Sequence, residues 1–289
     1  MKKILRRFIA HSLRHLVDFP LWNSLEIDIH SSCNRDCDFC PRYLDRSGAR
    51  KDAAGNPVHR RMPTEQVYRI IDQADALGFR GRTKLHRLSE GLLDERYLEF
   101  ATYIRGKGMT LVEDTNGDAL RTNSALCASL DGLIQHLTIG LYDCRTEFEK
   151  QQQMFFWRNR FKKTRISFSL PREQCLIRQG SGIYDQAPKN RAVLGLPCNQ
   201  PTNFLLIRYD GNVSLCCEDD HCRFALGNAF SEDLASIWWS WRHIVLARTL
   251  QKVGGRQRYG ACRQCYLHQD RINLLDDGQQ TDSLVNLQF

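Results

Sequence analysis

Apolar and polar residues alternate along Leu25, Ile27 and Ile29, the period of a half-buried β-strand. The period then lengthens: Val67, Ile70, Ile71, Ala74 and Leu77 recur at helical spacing, and Gly78 follows as a helix stop. From there the two periods take turns. Arg82 to Leu88 reads as a strand, Tyr97 to Lys107 as a helix ended by Gly108, and Thr110 to Thr115 as the next strand. Ser124 to Leu130 reads as a helix, Leu133 to Leu141 as a strand, Glu147 to Phe161 as a helix and Arg165 to Leu170 as a fifth strand. Repeated β-α units imply parallel strands joined by right-handed crossovers, with an enclosed site at the C-terminal ends of the strands. The stretch between Leu170 and Cys198 is too short for a full sixth unit. The expected fold class is α/β: a partial (β/α) barrel over 25–197, shortened and open on one side.

Farther on, Phe204 to Arg208 and Val213 to Cys217 flank Tyr209-Asp210-Gly211-Asn212 and predict a β-hairpin with an Asp-Gly turn. Leu226-Gly227-Asn228 then leads to a helix over Leu234 to Leu250, with Ile237, Trp238, Trp241, Val245 and Leu246 on its apolar side. A small hairpin-and-helix domain is expected over 198–268, followed by a polar tail over 269–289. At the other end, Lys2, Lys3, Arg6, Arg7 and Arg14 interleave with Ile4, Leu5, Phe8, Ile9, Leu13 and Leu16. This reads as an amphipathic helix within 1–24 that packs across the barrel bottom. Arg42 to Met62 is polar, contains Gly48, Gly55 and Pro57, and reads as a long loop, either a lid or a surface insertion. Phe148, Met154, Phe155, Phe156, Trp157 and Phe161 are assigned to the core, and His86 to a structural role.

Composition narrows the class without deciding it. Hydrophobic content of 42% and charge of 26% suit a soluble globular protein. Twelve cysteines are many, yet Arg6, Arg7, Arg14 and His15 break the opening apolar run, so no secretory signal is read. Reduced, cytoplasmic cysteines used for metal are expected rather than disulfides. No membrane span is read, and the formal charge of +8 comes with no nucleic-acid signature.

The cysteine spacing carries the chemistry. Cys33, Cys37 and Cys40 form Cys-x3-Cys-x2-Cys directly after the first strand. Three thiols so close together read as metal ligands, and a four-iron cluster held by three cysteines leaves one iron open for another ligand. This spacing at the end of a first strand, with Phe39 before the third cysteine, resembles the radical SAM superfamily. The resemblance implies that the open iron chelates S-adenosylmethionine. It also implies that Ser89 and Glu90, in Leu88-Ser89-Glu90-Gly91, inherit the family's hold on the methionine amino group, although Gly91 replaces the usual proline. Thr115-Asn116-Gly117 matches the family's Thr-Asn-Gly after the third strand. Gly140 stands where the family commonly has a serine, so a ribose contact there falls to Thr138, Tyr142 or Asp143.

A second set follows: Cys198, twelve residues, Gly211, four residues and Cys216, then Cys262-x2-Cys265. It resembles the twitch domain, a short relative of the SPASM domain, which implies a second four-iron cluster with no vacant iron, suited to carrying electrons. Zinc in these four thiols is the competing reading. Cys217 is a possible substitute ligand, and Cys127, Cys144, Cys175, Cys217 and Cys222 are otherwise unassigned. Two such clusters lower the net charge to about +5, a surplus that suits an acidic partner such as a flavodoxin- or ferredoxin-type electron donor. The expected reaction is cleavage of S-adenosylmethionine to a 5'-deoxyadenosyl radical, which takes hydrogen from a sugar- or cyclitol-like small molecule. The hydroxyl becomes a ketone with the auxiliary cluster as electron acceptor, as in twitch-bearing dehydrogenases of aminoglycoside biosynthesis. The alternatives are epimerisation with Cys217 or Cys222 returning the hydrogen, modification of a ribosomally made peptide, and a zinc-stabilised binding module without catalysis.

Overall fold

The computed structural model describes residues 18–35, 37, 40, 59–169, 194–217, 219, 222–260 and 262–265. The expected helix within 1–24, most of the loop over 42–62, Phe39, Cys175 and the tail over 269–289 lie outside the described residues.

In chain order the elements are β1 (Ser24–Ile27), α1 (Thr64–Ala76), β2 (Arg82–Lys84), α2 (Tyr97–Gly106), β3 (Thr110–Thr115), α3 (Asp118–Thr122), α4 (Ser124–Leu130), β4 (His136–Gly140), α5 (Glu147–Arg160) and β5 (Arg165–Ser169). After these come α6 (Gln200–Asn203), β6 (Phe204–Ile207), β7 (Asn212–Ser214), β8 (Gly227–Asn228), α7 (Leu234–Trp238) and α8 (Trp241–Leu250). Among the described residues all eight strands share one open sheet in the order β5-β4-β3-β2-β1-β6-β7-β8. The neighbours from β5 to β1 are parallel, as the β-α repeat requires. The hairpin β6-β7 forms where expected, and β6 pairs in parallel with β1, Leu25 opposite Leu205 and Ile27 opposite Ile207. The hairpin therefore continues the sheet of the partial barrel.

The two faces of the sheet differ sharply. Leu25, Ile27, Leu111, Leu137 and Ile139 are fully buried together with Val67 and Ile70 of α1, Phe100 and Ile104 of α2 and Trp157 of α5. On the other face the register sets Glu26 opposite Lys84, and Asp114 opposite Thr138 and then Ser167. That face is polar and mostly half-buried, a row of donors and acceptors in place of a packed barrel interior.

Helix ends follow from local chemistry. At α5, Glu149 N–H donates to Thr146 Oγ1 and the Glu149 carboxylate accepts from Thr146 N–H, a capping box that satisfies two otherwise orphaned donors. The helix expected over Leu234 to Leu250 is two helices. Ser240 caps the second by accepting from His243 N–H, and the ring nitrogens of His243 reach Trp238 O and Pro201 O at 2.7 and 2.8 Å. Trp238 and Trp239 are buried, and their indole N–H groups donate to Pro20 O and Phe19 O, which locks the segment before β1 to α7. Because the break resets the helical phase, Trp241 and Val245 face solvent, against the expected apolar side. Likewise Phe148 and Phe155 are 68% and 71% exposed, which corrects their assignment to the core. Phe155 lies two residues from buried Trp157, about 200° around the helix and so on its opposite face.

Candidate active site

The first cysteine loop is built on the end of β1. Beyond Ile27, His30 is buried and burial pushes its ring below the ordinary imidazole range. Its Nδ1 accepts from Ser32 N–H at 2.9 Å, and its Nε2 lies 3.0 Å from Glu90 O. Glu90 N–H in turn donates to Ser32 O at 2.9 Å, which fastens the loop after β2 to the cysteine loop. Cys33, Cys37 and Cys40 are all half-buried. Burial, and then the charges of Cys40 and Cys33, push the Cys37 thiol up to about 11, so the three thiols share one electrostatic environment.

Arg35, inside the motif, holds this loop to two strand ends at once. Its Nε donates to Asp118 Oδ2 at 2.7 Å, and its Nη2 and Nη1 reach Asp143 at 2.8 and 3.1 Å. Asn34 donates to the same Asp118, and Asn116 Nδ2 lies 2.8 Å from Asn34 Oδ1 and 3.9 Å from Cys33 Sγ. Glu90 is buried, and its carboxylate accepts from Thr115 Oγ1 and Asn116 N–H at 2.7 and 2.8 Å. Glu90 and Asn116 thus meet beside Cys33. The Ser89 hydroxyl donates to buried Asp28 at 2.6 Å. Thr138 lies 3.2 Å from Ser167 Oγ on the polar face. Tyr142 folds over Gly140, where any side chain would collide with its ring, and so fills the place of the expected serine. Burial raises its hydroxyl above the ordinary phenol range, aided by the charges of Asp114, Cys37 and Cys40.

Charged groups crowd the strand ends beside this loop. Lys84 is paired with Asp114, and His86 with Glu113, whose carboxylate also accepts from Leu85 N–H and Tyr97 Oη. Diversion of Leu85 N–H to that carboxylate, and of Arg87 N–H to Asp28 Oδ1, ends β2 at Lys84, short of the expected Leu88. His86 is thus packed and hydrogen-bonded to Glu113.

In the second set, Cys198 packs with Leu215, Leu246 and Leu250, and Cys262 lies against them. Cys265 N–H donates to Cys262 O, and burial followed by the charges of Cys265 and Cys198 pushes the Cys262 thiol up to about 12. Cys216 directly follows Leu215 of this cluster. Arg256 is 1% exposed and donates from Nη1 to Cys265 Sγ at 3.5 Å. Two arginines missed by the motif reading organise the region: Arg256, and Arg87, which joins the strand ends to the second set through Ser214 Oγ, Cys216 O and Cys217 O at 3.3, 3.1 and 3.3 Å. Arg87 stands two residues before Ser89, a place the motif itself pointed to. Cys217 Sγ contacts Gln200 Oε1 at 3.7 Å, whereas Cys222 adopts φ 52° and hydrogen bonds Ser214. Among the described residues no three His, Cys, Asp or Glu side chains close on a single metal ion.

Residues 198–266 match the SPASM family, described as an iron-sulfur cluster-binding domain. Across 85% of this chain and 93% of its own length, the S-adenosyl-L-methionine-dependent 2-deoxy-scyllo-inosamine dehydrogenase of Niallia circulans is 22% identical. Among solved structures, BtrN in complex with AdoMet and 2-DOIA aligns with a TM-score of 0.67 at 23% identity, covering 86% of this chain and 94% of that one. AnSMEcpe with bound AdoMet aligns with a TM-score of 0.53 at 12% identity, covering 85% and 88%. Residues 198–266 thus carry a SPASM-type domain, and the chain shares the fold of these AdoMet-bound structures.

The chain's own donor sets fit iron–sulfur clusters. Three grouped thiols at the end of β1 suit a cluster with one open iron. At the SPASM-type site a buried guanidinium stands among thiols whose ionised, metal-bound forms are anionic, and it offsets the net negative charge of a four-thiolate cluster. Arg256→Met removes that cation with little change of length. The expected outcome is an auxiliary cluster with a lower reduction potential in an EPR-monitored redox titration, at unchanged iron content, because the reduced cluster carries one more negative charge. An unchanged potential would show that Arg256 only fills space.

Proposed function

We propose that this protein is a radical SAM dehydrogenase that oxidises one hydroxyl of a cyclitol- or sugar-like small molecule to a ketone. The observation that carries the reading is the polar sheet face, Glu26, Lys84, Asp114, Thr138 and Ser167, running up to the cysteine loop. A polyol offers hydroxyls that both donate and accept, and paired Lys84 and Asp114 supply a cation donor and an anion acceptor side by side. Cys33, Cys37 and Cys40 would hold one cluster and Cys198, Cys216, Cys262 and Cys265 a second, which with bound S-adenosylmethionine would supply a hydrogen-abstracting radical and a one-electron acceptor. Glu90 and Asn116 stand where they can receive the cofactor's amino group, Phe39 belongs to the same motif, and the Tyr142 ring offers a surface for its ribose. Arg35, Asp118 and Asp143 fix the cysteine loop against the strand ends, so that the target carbon is presented at one distance. The likeness to a cyclitol dehydrogenase supports the same substrate class. Cys217, in contact with Gln200, and Cys222, beside Ser214, are the two hydrogen donors that an epimerase would need.

The test uses reduced, iron-loaded protein with S-adenosylmethionine and 2-deoxy-scyllo-inosamine deuterated at the carbon to be oxidised. One deuterium in 5'-deoxyadenosine and an equimolar ketone are expected. Recovered epimer carrying solvent hydrogen would replace the dehydrogenase reading with hydrogen return. Lys84→Met is expected to raise KM about tenfold to a hundredfold, the loss of one charged hydrogen bond of about 1.5–3 kcal/mol. Steady-state assays at saturating S-adenosylmethionine read it out.

A further inference from the structure

The proposed reaction takes one electron in, to open the cofactor, and gives one back. The substrate radical, centred on the carbon that bears the hydroxyl, loses the hydroxyl proton and one electron, and the C–O single bond becomes the C=O bond of the ketone. The electron received at the Cys198, Cys216, Cys262 and Cys265 site must then pass to an external one-electron acceptor before the next turnover. The helix α8 is the wall between that site and solvent. Its inner residues Leu246 and Leu250 pack with Cys198, and Cys198 N–H donates to Leu250 O at 2.8 Å. On its outer face Trp241, Arg242, Val245 and Arg248 are exposed, and Lys252 and Val253 continue that surface, with Trp241 67% and Val253 82% accessible. Exposed Arg258 and Arg263 flank Cys262. From Leu234 to Cys265 the chain contains no aspartate or glutamate. A cationic, partly apolar surface therefore lies one helix thickness, about 10 Å, from the electron-receiving thiols.

We propose that the outer face of α8, with Lys252 and Val253, docks a small acidic one-electron carrier protein that takes the electron from the auxiliary site. Charge selects this occupant. A second copy of the chain, at +8, would bring like charge, whereas a carboxylate-rimmed carrier pairs with Arg242, Arg248 and Lys252 around the apolar Trp241 and Val253. Tryptophan and arginine are the side chains that most often anchor such contacts, and opposite charge speeds encounter in a salt-dependent way. Since the reaction is redox-neutral overall, a carrier that delivers the first electron is regenerated by accepting the second.

The inference rests on the auxiliary site as electron acceptor, and its test does not require turnover. A purified acidic flavodoxin serves as probe. In a background with Cys33, Cys37 and Cys40 changed to Ala, the auxiliary cluster is reduced with dithionite, and its reoxidation by oxidised flavodoxin is followed by stopped flow. Binding is measured in parallel by surface plasmon resonance. The variant Arg242→Glu/Arg248→Glu/Lys252→Glu, with iron content and circular dichroism confirming its fold, is expected to lose affinity and reoxidation rate at least about tenfold. Wild type should lose both similarly when salt is raised from about 0.05 to about 0.5 M. Trp241→Ala is expected to weaken binding with an unchanged salt dependence. A charge-reversed variant that binds and is reoxidised like wild type overturns the proposal. Failure of the dehydrogenase reading would instead appear as absence of ketone, with these two measurements unaffected.

Discussion

Cys37→Ala is expected to abolish reductive cleavage of S-adenosylmethionine and to lower iron from about eight to about four atoms per chain. The reason is local. Among the described residues Cys33, Cys37 and Cys40 are the thiols of the loop after β1, and the groups around them, Asn116, Asn34 and Arg35, are committed to hydrogen bonds that set the loop and offer no thiolate in exchange. Cys127→Ala is the control. That thiol is buried and donates to Leu120 O at 3.2 Å, so the variant should keep its iron and its cleavage activity. Iron and acid-labile sulfide per chain, with 5'-deoxyadenosine formation under dithionite, measure both. Full iron in Cys37→Ala would remove the first cluster from the mechanism.

Glu113→Leu is expected to destabilise the fold by about 3–5 kcal/mol, the usual result of breaking a buried ion pair by deleting one partner. Glu113 is 1% exposed and accepts from Leu85 N–H, Asp114 N–H and Tyr97 Oη as well as pairing with His86, so its removal deprives His86 of its counter-ion and strands three donors at once. The pair also predicts a pH dependence. Burial opposes protonation of His86, but the Glu113 carboxylate outweighs it and raises the ring from 6.5 to about 9. A raised pKa favours the folded state fully below 6.5, and that contribution, on the order of 3 kcal/mol, is lost as pH climbs through about 9. Urea denaturation of wild type between pH 6 and 10 should show this decline, and His86→Gln should flatten it. A flat wild-type profile would mean that His86 does not gain a proton on folding.

The alternating β-α register was legible because each strand had to bury one face and each helix one stripe, a requirement written directly in the spacing of Val67, Ile70, Ile71 and Ala74 or of Leu25 and Ile27. The cysteine sets were legible for a similar reason, since ligand spacing is a local property. What escaped depended on distant partners. Nothing near Phe204 says that β6 will pair with β1, and nothing in Trp241 says that a cap at Ser240 will turn it outward, although a Ser three residues before a histidine that reaches back to Trp238 O is a signal in retrospect. Arg87 and Arg256 escaped because their roles arise from burial beside residues remote in sequence.

The β1–β6 ladder has a consequence for synthesis on the ribosome. Asn23 and Asn203, at the foot of that ladder, are 180 residues apart. At about 5–20 residues per second, β1 waits roughly 10–40 s for its second neighbour. During that interval Leu25 and Ile27 lie on an unpaired strand edge, the kind of surface that recruits other nascent chains. Expression truncated before Phe204 should therefore accumulate as aggregate. Slower elongation would lengthen the exposure, and a chaperone that binds extended apolar segments has its natural client in β1.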